Sequence, residues 1–315
     1  MSRRVVALSG GIGGAKLALG LQRVLSPGAL SVVANTGDDF EHLGLAICPD
    51  LDTLLYTLAG VANPELGWGR SEESWNFMAE LERLGGEGWF RLGDRDLAVH
   101  IERTRRLAAG ESLSAIMGAF ARQFGLDTQL LPMSDERVRT FVDTDVGTLA
   151  FQQYFVARQC APRVRALHYE GSAAAHAAAG ALAALDQPGL AAIVICPSNP
   201  YLSIDPILAI PGWRAALASR KAPLIAVSPL IGGAAVKGPT AKIMRELGVE
   251  VSPLSVATHY AGLLDGFVLD ETDAALAACC SVPVRITRTL MRSLEDRENL
   301  AREVLGFAAE LAAPR

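Results

Sequence analysis

The chain has 315 residues and carries 29 Lys plus Arg against 34 Asp plus Glu, a formal net charge of −5. Half of the residues are hydrophobic and 20% are charged, a globular composition long enough for one large domain or two smaller ones. This balance argues against a dedicated basic nucleic-acid binder and a disordered chain, and no apolar run approaches the ~18 residues of a membrane span.

The opening residues Arg4–Ser9, the glycine turn Gly10-Gly11-Ile12-Gly13-Gly14 and the stretch Ala15–Leu25 read as strand, turn and helix, with Leu30–Ala34 as the next strand. That order predicts a parallel sheet with right-handed crossovers. Helical spacing dominates from Asn63 to Gly125: Trp75, Met78, Leu81 and Leu84 form one stripe, and Leu113, Ile116, Met117, Phe120 and Phe124 another. Asp94 is placed to start a helix through Leu107, and Arg137–Val142 alternates like a strand. The core rhythm returns with strands at Arg163–Leu167, Leu190–Cys196, Ala222–Val227, Gly266–Leu269 and Pro283–Thr287, an Ala-rich helix over Ala173–Leu185 and a last helix from Ser293 to Leu311. The expected fold is α/β: a Rossmann-like, mostly parallel sheet with helices on both faces. Residues 1–61 and 156–315 form its core, and 62–155 form a mainly helical insertion.

Ligands of an open parallel sheet bind beyond the carboxyl ends of its strands, and four loops there carry unusual residues. The first, Ser9–Lys16, offers glycine backbone at a helix start, where a phosphate can approach. It matches neither the dinucleotide fingerprint nor Walker A, which counts against a nucleotide-binding oxidoreductase. The second, Asn35-Thr36-Gly37-Asp38-Asp39, is followed by Asp50-Leu51-Asp52-Thr53. Such an aspartate group suits Mg²⁺, which uses one or two carboxylates plus substrate phosphates, while from this segment alone a helix cap at Asp50 or Asp52 is the better reading. A lone His42 reads as a structural side chain. The third, Pro197-Ser198-Asn199-Pro200, has hydroxyl and amide groups suited to a ribose or phosphate. In the fourth, Ser228–Thr240, Lys237 and Gly238 precede a helix, where a lysine opposes the dipole unless it meets an anion. No GxSxG is present, so a serine hydrolase is not indicated. The five cysteines are Cys48, Cys160, Cys196, Cys279 and Cys280. They lack zinc spacing and predict reduced, buried thiols in a cytoplasmic protein. Arg3 and Arg4 precede too short an apolar run for an export signal.

Together these loops resemble the 2-phospho-L-lactate transferases of deazaflavin coenzyme F-420 biosynthesis. The matching pieces are Ala7–Lys16, Asn35–Asp39, Cys48–Thr53, Trp89–Asp96, Pro197–Pro200 with Ser203–Ile207, and Ser228–Pro239. The resemblance spans nearly the whole chain, in order. It implies transfer of a phospho-three-carbon acid (2-phospho-L-lactate, phosphoenolpyruvate or 3-phosphoglycerate) from a guanylylated donor to the ribityl hydroxyl of the deazariboflavin Fo. GMP is released, Mg²⁺ is the cofactor, and a homodimer is the family expectation. By the same resemblance Asp50 and Arg91 contact Fo. Asp50, with Asp52, is the catalytic candidate, and Asp50 is also the candidate metal ligand. The guanine nucleotide falls to Gly10, Gly11, Gly13, Gly14, Lys16, Asn35, Ser198, Asn199, Lys237 and Gly238. Trp68, Trp75, Trp89 and Phe90 are candidates for an apolar wall beside the flat ring. A nucleotide-sugar-binding regulator of the same superfamily is the alternative, and the Pro49–Asp52 and Trp89–Asp96 segments count against it.

Overall fold

Seven short, apolar strands pair side by side in the computed structural model, which describes residues 3–65, 67–236 and 238–313. They are β1 (Arg4–Ser9), β2 (Leu30–Ala34), β3 (Gln129–Pro132), β4 (Leu190–Ile195), β5 (Leu224–Val227), β6 (Gly266–Asp270) and β7 (Val284–Thr287), in the order β7-β6-β5-β4-β1-β2-β3. All six neighbouring pairs are parallel. Successive side chains of β1 enter opposite cores, Val6 and Leu8 on one face, Val5 and Ala7 on the other. That is the period-two signature of a strand covered on both sides.

The order reverses at β1. The chain runs outward one way through β2 and β3, then returns through β4 on β1's other side. The crevice outside the carboxyl ends of β1 and β4 is therefore the switch point where such sheets hold ligands. Helix α1 (Gly11–Val24) leaves β1 there and packs beneath the last helix, Leu294–Ala312. Helix α2 (Pro49–Leu58) follows a small hairpin, Phe40–His42 with Leu45–Ile47. Helices α3 (Asn76–Arg83), α4 (Asp94–Ala108) and α5 (Leu113–Gln123) come next. A small satellite core of Ile47, Met78 and Leu92, with Phe40, Trp75 and Phe90 against it, ties this helical region to the hairpin.

The structure differs from the sequence expectation in specific places. The stretch 62–155 is helical as far as Gln123, but its residues Gln129–Pro132 then join the central sheet as edge strand β3. The strand expected at Arg163–Leu167 runs Val164–Glu170 and pairs antiparallel with Arg139–Thr144 in a separate three-stranded sheet completed by Gly147–Ala150. The alternation of half-buried and buried residues along Arg139–Thr144 fits a sheet with one covered face. The Ala-rich helix is shorter than expected, Ala179–Leu185. Leu84 leaves the α3 stripe: the helix stops at Arg83 and Leu84 is 76% exposed. Cys48 and Cys196 are buried as expected, whereas Cys279 is exposed. Among the described residues no helix is long and apolar enough to cross a membrane.

Candidate active site

At the switch point the glycines are required by close approach. A Cβ on Gly13 would stand 2.5 Å from the carbonyl oxygen of Pro197, and one on Gly14 would collide with the hydroxyls of Ser9 and Ser198. Ser198 stitches the two loops together: its hydroxyl accepts from the Gly10 amide at 3.1 Å and donates to the Gly10 carbonyl at 2.8 Å. Gly11 opens α1 at φ +64°, with open space where its side chain would be. The helix start has no side-chain cap, which leaves amides of the first turn for an anion. Lys16, one turn in, donates to the carbonyl of Met291 at 3.0 Å and so fixes the loop after β7 against α1. That loop is held on its other side by Asp270, whose carboxylate accepts from the amide and hydroxyl of Thr289.

A cavity of about 640 Å³ opens over these loops, within the usual range for small-molecule sites. Gly10, Gly11, Gly13, Lys16, Ser198, Asn199 and Gly238 all line it. Asn35 and Gly14 do not line it; they act behind it. Lys237 lies outside the described residues. Asn199 spends its side-chain oxygen on the Tyr201 and Leu202 amides, while its Nδ2 is buried without a partner. The turn it caps, Pro200–Ile204, is π-helical, as is Gln153–Ala157 on the opposite wall. Single π turns are frequent at functional sites, and no sequence pattern announced either one.

Asp50 lies in the first turn of α2 and is 5% exposed. It is not the helix cap: Cys48 holds that position and makes no side-chain cap bond. The two Asp50 oxygens instead accept from the Gly11 amide at 2.6 Å and the Asn35 side-chain amide at 2.9 Å. Asn35 is itself fixed, donating to the Leu202 carbonyl and accepting from the Gly37 amide. Burial outweighs these bonds and pushes the Asp50 carboxyl up to about 6. Asp38 lines the cavity beside it. Its burial, and then the charge of Asp50, raise it well above the carboxylate range, and its Oδ1 has no hydrogen-bond partner. Asp39 is pushed up to about 7, again by burial, but does not line the cavity.

Asp52 also reaches the cavity wall, but both of its oxygens are engaged by the guanidinium of Arg103 on α4. The same wall carries Tyr56, whose hydroxyl donates to Asp96 at 2.6 Å, and buried His100. Trp68, Trp89, Phe90 and Arg91 also line the cavity. Trp75 does not line the cavity. It supports the wall from below, its ring 4.4 Å under the Arg91 guanidinium. His42 is a buried structural side chain edge-on to Trp89. Phe151 and Phe155, stacked at 5.3 Å, form an apolar wall that the sequence reading missed.

The site thus joins a glycine turn at an uncapped helix start, two adjacent buried carboxylates and an aromatic wall. The sequence matches the family described as 2-phospho-L-lactate transferase CofD over residues 5–297. The chain belongs to this family. It is accordingly a transferase. Similar proteins include phosphoenolpyruvate transferases from Kitasatospora aureofaciens, 42% identical over 98% of each chain, and from Streptomyces griseus, 40% identical over 98% of this chain and the whole of that one. A 2-phospho-L-lactate transferase from Methanosarcina acetivorans is 39% identical over 96% of this chain and 98% of its own. Among solved structures, a UPF0052 family protein from Bacillus halodurans shares the fold at TM-score 0.64, covering 97% of this chain and 99% of its own at 12% identity.

Proposed function

We propose that this transferase moves a phospho-three-carbon acid from a guanylylated donor to the ribityl hydroxyl of Fo, in coenzyme F-420 biosynthesis. Relatives named for phosphoenolpyruvate and for 2-phospho-L-lactate match at nearly equal identity, so the proposal covers the acid class. In the reaction, a bond forms between the ribityl oxygen and the phosphorus bearing the acid. The bond from that phosphorus to the bridging oxygen breaks, GMP leaves with that oxygen, and the hydroxyl proton is released.

The observation that carries this reading is the juxtaposition at Gly11. Its amide holds Asp50, and its loop opens α1, whose start is assigned here to a phosphate. A carboxylate that orients a hydroxyl is thereby tied to the backbone that holds a phosphorus, as in-line transfer requires. The Gly10–Gly13 backbone, Ser198, Asn199 Nδ2 and Gly238 are assigned to the nucleotide, with Asn35 and Gly14 supporting them. Lys237, read from sequence, belongs to the same assignment. Trp89, Phe90 and Arg91 are assigned to the deazaflavin ring.

Among the described residues no group of three or more His, Cys, Asp or Glu is set to hold a metal. Two carboxylates suffice for Mg²⁺ when substrate phosphates complete the shell. The partnerless Asp38 Oδ1 beside Asp50 fits that donor set. Asp38 and Asp50 would hold the ion, which supplies charge neutralisation at the phosphate oxygens. The chain is expected to work in the cytoplasm as a homodimer. The test is mass spectrometry of the product from Fo with each guanylylated acid. An Fo phosphodiester and GMP support the reading, and no product with any donor refutes it.

A further inference from the structure

Arg103 is fully buried on α4, 51 residues from Asp52 in sequence. Its Nη atoms grip both oxygens of Asp52, and Nη1 also donates to the carbonyl of Ala46 at 3.2 Å. The adjacent Thr104 accepts from the amide of the same Ala46 at 2.8 Å. Two successive residues of α4 therefore hold residue 46 by both its carbonyl and its amide, and Arg103 holds residue 52 as well. The segment between them is Ile47-Cys48-Pro49-Asp50-Leu51. Asp50 and Asp52 are two residues apart on one helical turn, about 200° around its axis. Asp52 therefore faces α4 while Asp50 faces Gly11 and Asn35.

We propose that Arg103 is a positioning residue for the transfer reaction: by fixing Ala46 and Asp52 on either side of Asp50, it sets the Asp50 carboxylate against the glycine loop. Arg103 also ties that carboxylate to the ring wall, because α4 carries Asp96 and His100 and begins directly after Trp89–Arg91. The planar fork of arginine is needed, since a lysine is a point charge that cannot grip two oxygens and a carbonyl in one plane. The inference rests on the transferase reading. Product formation by the parent enzyme tests that reading, and only the variants test Arg103.

Three variants separate positioning from plain stability. Arg103→Met leaves buried Asp52 with only His100, 3.6 Å away, beside it, and its melting point should fall sharply. Arg103→Met combined with Asp52→Leu removes both charges and should recover most of that loss. Arg103→Lys keeps the charge and should fold. Calorimetric titration with GDP counts folded nucleotide sites, so kcat can be expressed per GDP-binding site. For the double variant, kcat per site should stay at least about tenfold below the parent, with GDP affinity and the donor KM within about twofold. Arg103→Lys should fall between the two. A residue with only a structural role would lower GDP stoichiometry and kcat together. Parental kcat per site in Arg103→Lys, or in a folded double variant, overturns the proposal. If the double variant does not fold, Arg103→Lys decides alone.

Discussion

Asp50 shows how a single side chain can be read one way from sequence and another from its surroundings. Asparagine caps helices about as well as aspartate, so Asp50→Asn would be silent if Asp50 were a cap. It is not one. An asparagine there must turn its NH2 towards either the Gly11 amide or the Asn35 amide, both donors, and Asn35 cannot flip without giving up Leu202 and Gly37. The lost bond should cost about 1–3 kcal/mol, a few degrees of melting temperature in a chain this long. Lost activity should far exceed that: GMP release in the presence of Fo is expected to fall about 10²-fold or more. Near-parental release from folded Asp50→Asn would remove Asp50 from the chemistry. A second aspartate makes a pH prediction. Asp94, at the start of α4, accepts from the amides of Asn76 and Phe77 and from Ser74, so it caps α3 from the neighbouring helix. These bonds hold its carboxyl down at about 2. A depressed carboxyl stabilises above its unfolded value near 4, and that contribution is lost as pH falls through about 2. The stability gap between parent and Asp94→Ala, from denaturant titrations, should therefore be constant from pH 7 to about 4 and narrow below. A gap that does not change with pH would show that the carboxylate charge adds nothing.

At the scale of elements, what was legible was what is local. Strands β1 and β2 and the start of α4 coincide with the sequence reading because each is a short run of one pattern with a clear boundary, such as Gly10 or Asp94. The four loops singled out from sequence do meet at one cavity, because each stands at the carboxyl side of the central strands. What was hidden depends on distant partners. Gln129–Pro132 is four residues with a proline at its end, and only β2, about 100 residues earlier, makes it a strand. The partnership of Asp52 with Arg103, 51 residues away, belongs to the same class; the two π turns and the Phe151–Phe155 pair are local but follow no sequence pattern. The glycine turn gives a prediction at this scale. In Gly13→Ala the new methyl meets the backbone of Pro197, which a rotamer change cannot relieve. Overpacking of this kind costs about 1–3 kcal/mol, and here it separates the two loops assigned to the nucleotide. GDP affinity should fall by at least about tenfold, measured by calorimetry at equal folded fraction. Unchanged affinity would place the nucleotide elsewhere in the cavity.

For the whole molecule the telling contact is between the first helix and the last. Gly20 on α1 has the Arg297 backbone against it, so that a Cβ would strike the carbonyl. Helix propensity favours alanine over glycine by about 1 kcal/mol, yet the clash is with backbone and should dominate. Gly20→Ala is expected to lower the melting temperature, and a rise would mean that the two helices slide apart freely. The bond from Lys16 to Met291 spans 275 residues and bears on how the protein is made. A ribosome emits the glycine turn early, but β1 waits for its neighbour β4, and Lys16 waits for Met291. No intermediate length of nascent chain contains an intact binding crevice. Nucleotide can stabilise only a state that binds it; on the proposed assignment it would act as a ligand chaperone on chains that have passed Met291 and ignore every product of a stop before it. Truncated copies should then be cleared by proteolysis at rates indifferent to the guanine nucleotide pool, while full-length copies live longer as that pool rises.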